Sequence, residues 1–136
     1  MKILCAIDGS TASSHAARKA VELGSALKAD VTLATVVVPT FVPPELAFDA
    51  SRFLEESSRA AEVLLSEAAK ELGQPGISRV TLQGSIAEAL ADYADTNNFD
   101  IVVIGSKGRG AVSRVLIGST TDRLVHIARK PVLVVR

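Results

Sequence analysis

Asp100-Ile101-Val102-Val103-Ile104-Gly105-Ser106-Lys107-Gly108, answered further on by Gly118-Ser119-Thr120-Thr121-Asp122, is the part of the chain that decides the fold. The run Ile101-Val102-Val103-Ile104 is short, β-branched and free of polar residues, as expected of a strand buried on both faces of a parallel sheet. Gly105 is expected to end it. Gly105 and Gly108 carry no Cβ and can take backbone angles closed to other residues, so main-chain N–H groups can approach a bulky anion. Ser119 stands three residues before Asp122, the spacing of a capping box, and opens the segment Arg123-Leu124-Val125-His126-Ile127-Ala128. A helix N-terminus presents unpaired N–H groups and the positive end of the helix dipole. Strand, glycine loop and helix start therefore read as a phosphate-binding loop; the competing reading is a plain turn from strand to helix. Two familiar signatures are absent. No Gly-Lys-Ser/Thr occurs, and Gly105-x-x-Gly108-x-Gly110 reverses the dinucleotide-binding order and follows a late strand.

Outward from this loop, strand-like runs near 3–7, 31–38, 77–82, 101–104 and 132–135 alternate with helical stretches. Such alternation implies an α/β fold: an open five-stranded parallel sheet with right-handed crossovers and helices on both faces, Rossmann-like, in a single domain over 1–136. The first helix is predicted over 12–28, with Ala16, Ala20, Leu23 and Leu27 on one face. The second runs from 45 or later to 72, with Phe53, Ala60, Leu64, Ala68 and Leu72 at helical spacing, and stops at Gly73 and Pro75. A third starts at Ser85, where Glu88 completes another capping box, and ends near Asn97-Asn98. The segment Pro39-Thr40-Phe41-Val42-Pro43-Pro44-Glu45 is too rich in proline for a continuous helix. It leaves the carboxyl edge of the sheet, so it reads either as a flap with Phe41 at a site's mouth or as an ordinary crossover loop, and the latter is favoured for Phe41.

At 136 residues the chain suits one domain with a real core. No run of about eighteen apolar residues exists, and Met1-Lys2-Ile3-Leu4-Cys5 leads straight into a strand, so a soluble, cytoplasmic protein without a membrane span is expected. Cys5 is the single cysteine, which excludes an intrachain disulfide, and its apolar neighbours mark it as a core residue. Fifteen basic and fifteen acidic residues balance, yet from Gly105 onward seven Lys or Arg stand against one Asp, a balance of +6 against −6 before it. Lys107, Arg109 and Arg114 fall in this basic segment, which concentrates anions around the proposed loop. Nucleic acid is a poorer fit, because there are only five aromatic residues and no reader motif or continuous basic helix. His15 and His126 are far apart, and neither a metal-ligand spacing nor a Gly-x-Ser-x-Gly elbow occurs, so no catalytic or metal residues are assigned.

Asp8 ends a mostly apolar first strand, where an isolated buried carboxylate would cost several kcal/mol, so it must be solvated, paired or functional. Its structural role would be to organise the turn Asp8-Gly9-Ser10. The spacing Gly-x2-Gly-x9-Gly-Ser/Thr, here Gly105, Gly108, Gly118 and Ser119, resembles the nucleotide-binding signature of the universal stress protein family. The likeness extends to Ala6-Ile7-Asp8-Gly9-Ser10 and to the final strand Lys130-Pro131-Val132-Leu133-Val134-Val135, and so to essentially the whole chain. It implies that Asp8 contacts a nucleotide chiefly at the ribose and that Val36, placed to within one or two residues, lies against the adenine. Gly105, Gly108, Gly118, Ser119 and Thr120 would hold the phosphates. The implied ligand is ATP, with Mg²⁺ on its phosphates, or another adenine nucleotide; the implied role is nucleotide-dependent regulation of a protein partner in a stress response. A nucleotide-free interaction module and a weak ATPase or self-phosphorylating enzyme are the alternatives. The apolar final strand, free of charge from Val132 to Val135, implies a homodimer paired edge to edge.

Overall fold

The computed structural model describes residues 1–108 and 117–136. Arg109, Gly110 and Arg114 lie outside the described residues. The chain order is β1 (Lys2–Ala6), α1 (Thr11–Leu27), β2 (Asp30–Val37), a single 3₁₀ turn (Pro44–Leu46), α2 (Ala47–Glu71), β3 (Ser78–Gln83), α3 (Ile86–Thr96), β4 (Ile101–Gly105), α4 (Ser119–Ile127) and β5 (Val132–Val135). The strands form one parallel sheet in the order β3-β2-β1-β4-β5. Chain order runs outward from β1 to β3, then crosses back to lay β4 against the other side of β1. The gap between the carboxyl ends of β1 and β4 is therefore the topological switch point of the sheet.

Side-chain alternation along the central strands builds two cores. Ile3, Cys5, Leu33 and Val103 point to one face, where Ala16, Ala17 and Ala20 of α1 and Leu65 and Ala69 of α2 cover them. Leu4, Ala34, Val102 and Ile104 point to the other face and meet Ala87, Leu90 and Ala94 of α3 and Leu124 of α4. Helices thus flank both faces, as the alternating pattern predicts. Cys5 is buried, and loss of water around a thiolate pushes its pKa up to about 12.

Several details depart from the sequence reading. Leu27 is 47% and Phe53 60% exposed, and the fully seated residues of α2 are Ala61, Leu65 and Ala69. Leu64, Ala68 and Leu72 of the predicted face do pack, partly buried, against that core, whereas Phe53 and Ala60 nearer the start of α2 are exposed. Ser85 is the N-cap of α3, as expected, but makes no side-chain capping bond, and the Glu88 carboxylate, which would complete the box on the Ser85 N–H, accepts instead from Arg123 Nε at 2.8 Å. Phe41, by contrast, agrees with the reading favoured for it: it is 86% exposed in the loop after β2.

Gly105 has a steric duty that its motif does not reveal. A Cβ built there would stand 2.7 Å from the backbone carbon of Ala12 and 2.9 Å from its Cβ. The first turn of α1 therefore rests directly on the last residue of β4. Gly105→Ala should destabilise the protein by about 1–3 kcal/mol through this overpacking, measured as a lowered urea midpoint at unchanged slope. A thiol reagent at pH 8 should modify Cys5 only as fast as the protein opens; rapid stoichiometric labelling of the native protein would contradict its burial.

Candidate functional site

A cavity of about 520 Å³ opens at the switch point, at the carboxyl ends of β1, β2 and β4. One end of it is apolar. Ala6 and Ala34 are register partners on β1 and β2, and their small side chains leave a space that larger residues would fill. Val36 and Ile104 extend that floor, and Ile86 and Leu90 of α3 form the facing wall. The other end is made of the glycine loop and the first turn of α4: Gly105, Lys107, Gly108, Gly118, Ser119, Thr120 and Thr121. Asp8 stands between the two ends. All seven residues singled out from the sequence, Asp8, Val36, Gly105, Gly108, Gly118, Ser119 and Thr120, line this one cavity.

The polar end is held by a short series of bonds. Ser106 N–H donates to the Val135 carbonyl at 2.7 Å, which ties the loop to β5. Gly118 N–H donates to the Ser106 carbonyl at 2.7 Å, so the chain returns to the point where it left the strand. Thr121 Oγ1 donates to the Gly105 carbonyl at 2.8 Å in a fully buried contact that locks α4 onto β4. Closeness, not backbone angle, calls for glycine at Gly105. Gly105 and Gly108 do not take positive φ, contrary to the expectation of special backbone angles; those fall at Gly9, Gly73 and Gly84. A Cβ on Gly118 would lie 3.5 Å from Gly108 N, from Lys107 Cα and from the Ser106 carbonyl oxygen, an ordinary contact distance on the wall of the loop.

The start of α4 also differs from the predicted capping box. Gly118 is the N-cap, Ser119 is the first helical residue, and no side chain caps the helix. The first-turn amides and the Ser119 and Thr120 side chains are thus left at the cavity instead of being consumed by a cap. Asp8 organises the turn after β1, the structural role weighed for it. Its Oδ1 accepts from Ser10 N–H at 2.8 Å and so shapes the turn into α1, while its Oδ2 lies 2.9 Å from where a Cβ on Gly108 would be. Gly108 is small because the Asp8 carboxylate stands against it. Ser13 extends this network, its Oγ accepting from Asp8 N–H at 3.3 Å and donating to the Ser10 carbonyl at 3.0 Å.

Sequence reasoning passed over Ala6, Ala34, Ser13, Ile86, Leu90 and Thr121. The paired alanines could have been noticed as the small residues in otherwise bulky strands; Ile86 and Leu90 carried no signal beyond an ordinary helix face. Among the described residues no group of three or more His, Cys, Asp or Glu is placed to hold a metal ion. His15 and His126 are exposed and lie outside this cavity. On the exposed surface, Arg123 of α4 bonds Glu88 of α3, and this hydrogen bond, ahead of any other cause, holds the Glu88 carboxyl below the usual carboxylate range.

An open α/β sheet with one cavity at its switch point, apolar at one end and rich in amides at the other, defines a nucleotide-fold protein class. The chain belongs to the universal stress protein family, whose family model matches residues 1–136. A universal stress protein of Thermus aquaticus is 34% identical over 138 residues, covering 98% of this chain and 97% of that protein. The solved UspA from Lactobacillus plantarum superposes with a TM-score of 0.89 at 26% identity, over 100% of this chain and 97% of that one. More distant structures of the same fold contain adenine nucleotides. They are a family member from Arabidopsis thaliana with AMP (TM-score 0.63, 19% identity, 99% and 90% covered), one from Archaeoglobus fulgidus with dAMP (0.65, 20%, 100% and 98%), and a universal stress protein with cAMP (0.68, 23%, 100% and 97%).

Two outcomes follow for the scaffold of the site. Thr121→Val leaves the buried Gly105 carbonyl without its partner and should cost about 1–3 kcal/mol of unfolding free energy by urea titration. Glu88→Gln should lower the urea midpoint slightly at pH 7. Because the folded pKa of Glu88 is depressed, its contribution is present above the usual carboxylate range and is lost as pH falls through the lowered value. The gap between variant and parent should therefore narrow as pH falls below the usual carboxylate range; a gap unchanged with pH would contradict the ionic origin.

Proposed function

We propose that the switch-point cavity binds an adenine nucleotide, ATP first among them, and that the bound state regulates a protein partner in a stress response in the cytoplasm. The observation that carries this reading is the division of a single cavity of about 520 Å³, a volume in the range of small-molecule sites, into an apolar slot and an amide-rich cradle. A flat purine suits the slot formed by Ala34, Val36, Ile86 and Leu90. The Asp8 carboxylate accepts from ribose hydroxyls at the junction. The phosphates take N–H groups from Gly108, Ser119 and Thr120, assisted by the Ser119 and Thr120 hydroxyls and the dipole of α4, while Gly118, its own N–H bonded to the Ser106 carbonyl, lines the cradle wall. Gly105 serves by letting β4 and α1 approach, which sets the floor of the cradle. When present, Mg²⁺ on the phosphates would supply neutralising charge beside Asp8.

Binding with regulation fits the residues better than turnover. No described side chain is arranged as a base on a nucleophile at the phosphate end, and an amide cradle stabilises the bound phosphate without requiring transfer. A homodimer through β5 accompanies the proposal. That strand lies at the sheet edge, pairs on one side with β4, and carries no charge from Val132 to Val135.

Isothermal titration of nucleotide-stripped protein with Mg-ATP, AMP and cAMP should give saturable binding near one nucleotide per chain. Gly118→Leu should reduce affinity at least about a hundredfold by filling the cradle, while circular dichroism shows the fold retained. Binding of none of the three by the parent protein would favour a nucleotide-free interaction module. Light scattering at micromolar concentration should report a dimer, and a strict monomer would refute edge pairing.

A further inference from the structure

We propose that the first half of α2 is an interface between two copies of this chain, the two helices packed antiparallel about a two-fold axis beside Leu54. α2 is long for the strands it covers: its 25 residues span about 37 Å, against about 26 Å for the eight residues of β2. Its seat on the core begins at Ala61 and continues through Leu65 and Ala69, whereas no described side chain from 47 to 60 is buried. About four helical turns therefore stand clear of the core. A helix gains most of its stability by packing an apolar face, and Ser51, Phe53, Ser57 and Ser58 are only middling helix formers.

The apolar face is present. Ala50, Phe53, Ser57 and Ala60 follow one another at helical spacing, in line with Leu64, which is partly buried against the core. Phe53 is exposed, as are Leu46 just before the helix and Leu54 beside the stripe. The small residues on both sides of Phe53 let a second helix come close.

Charge selects the occupant. Asp49, Arg52, Glu56 and Arg59 form a ridge along one side of that stripe, negative, positive, negative and positive in turn. Reversed in direction, the ridge is its own complement. An antiparallel copy related by a two-fold at Leu54 sets Asp49 against Arg59 of the second copy and Arg52 against Glu56 of the second copy, and the symmetry repeats both pairs. Parallel packing in register would set like charges together, and a partner of uniform charge would meet repulsion and attraction alike. Within one chain, Arg52 Nε lies 3.7 Å from Glu56 Oε1 with both side chains exposed, and Asp49 and Arg59 form no ion pair among the described residues. The same register brings each Phe53 beside its twin and against Ser57 of the second copy.

α2 packs on β2 and β3, and β5 lies at the opposite edge of the sheet from β3. Pairing through α2 is thus compatible with edge pairing through β5, and the two together join dimers into larger assemblies. One helix on another makes a small interface, so it should form at about 100 µM, above the concentration at which the β5 dimer is expected. This interface does not rest on the nucleotide reading.

Sedimentation velocity of the full chain between about 1 µM and about 1 mM tests it, and the mass should rise across that range. Two double variants give the ridge a single sign: Arg52→Glu/Arg59→Glu makes it acidic, and Asp49→Arg/Glu56→Arg makes it basic. All four positions are exposed, so each variant should keep the melting temperature of the parent while its self-association weakens at least about tenfold through like-charge contact. An equimolar mixture of the two should regain the parent's mass. Phe53→Ser, which leaves the charges in place, should weaken association as well. A parent mass constant with concentration, single-sign variants that associate as the parent does, or a mixture no heavier than its components would overturn the proposal. A monomer at about 1 µM that pairs at higher concentration, with the mixing result as expected, would refute edge pairing through β5 and leave this interface standing.

Discussion

The parallel pairing of β1 with β4 is the constraint on which the rest of the molecule depends. It lays Ile3, Leu4 and Cys5 beside Ile101, Val102 and Val103, and so brings the turn after β1 against the loop after β4, nearly a hundred residues later in the chain. Asp8 meets Gly108 only because of this pairing. The same register presses the first turn of α1 onto Gly105, at a distance that a methyl group would not permit. Each strand exposes an unfinished carboxyl end, and where two crossovers diverge no helix covers the gap. A concave site is the geometric remainder of that topology.

Stability and site are built from the same contacts. Ser106 joins the loop to Val135, Gly118 returns to Ser106, and Thr121 secures α4 to the end of β4. These bonds satisfy backbone groups that the end of β4 and the start of α4 would otherwise leave buried. They also hold the α4 amides in a fixed relation to the loop.

Much of the architecture was legible along the chain. Five β-branched runs separated by helical periods specified a parallel sheet, and the strand limits differ from those expected by one residue at most sites. For the central strands β1 and β4 that precision follows from burial on both faces, which leaves the run little polar interruption. Helix faces were read less well. The overhang of α2 exposes Phe53, and the sequence period alone does not say which turn of a long helix reaches the sheet. Local caps were also misjudged, because Glu88 had an arginine on another helix to choose instead of its own N-cap.

By itself the sequence determined the strand and helix succession, the sheet class, the burial of Cys5 and the identity of the glycine loop, since each is written in local composition and spacing. Tertiary structure alone decided why those glycines are small. Gly105 is small for Ala12 and Gly108 for the Asp8 carboxylate, and neither takes a positive φ. It also decided that two alanines in register open the apolar slot and that Ile86 and Leu90 close it. These are relations between elements far apart in the chain. Spacing records the backbone's local needs, whereas proximity across a sheet exists only once the strands have chosen their neighbours.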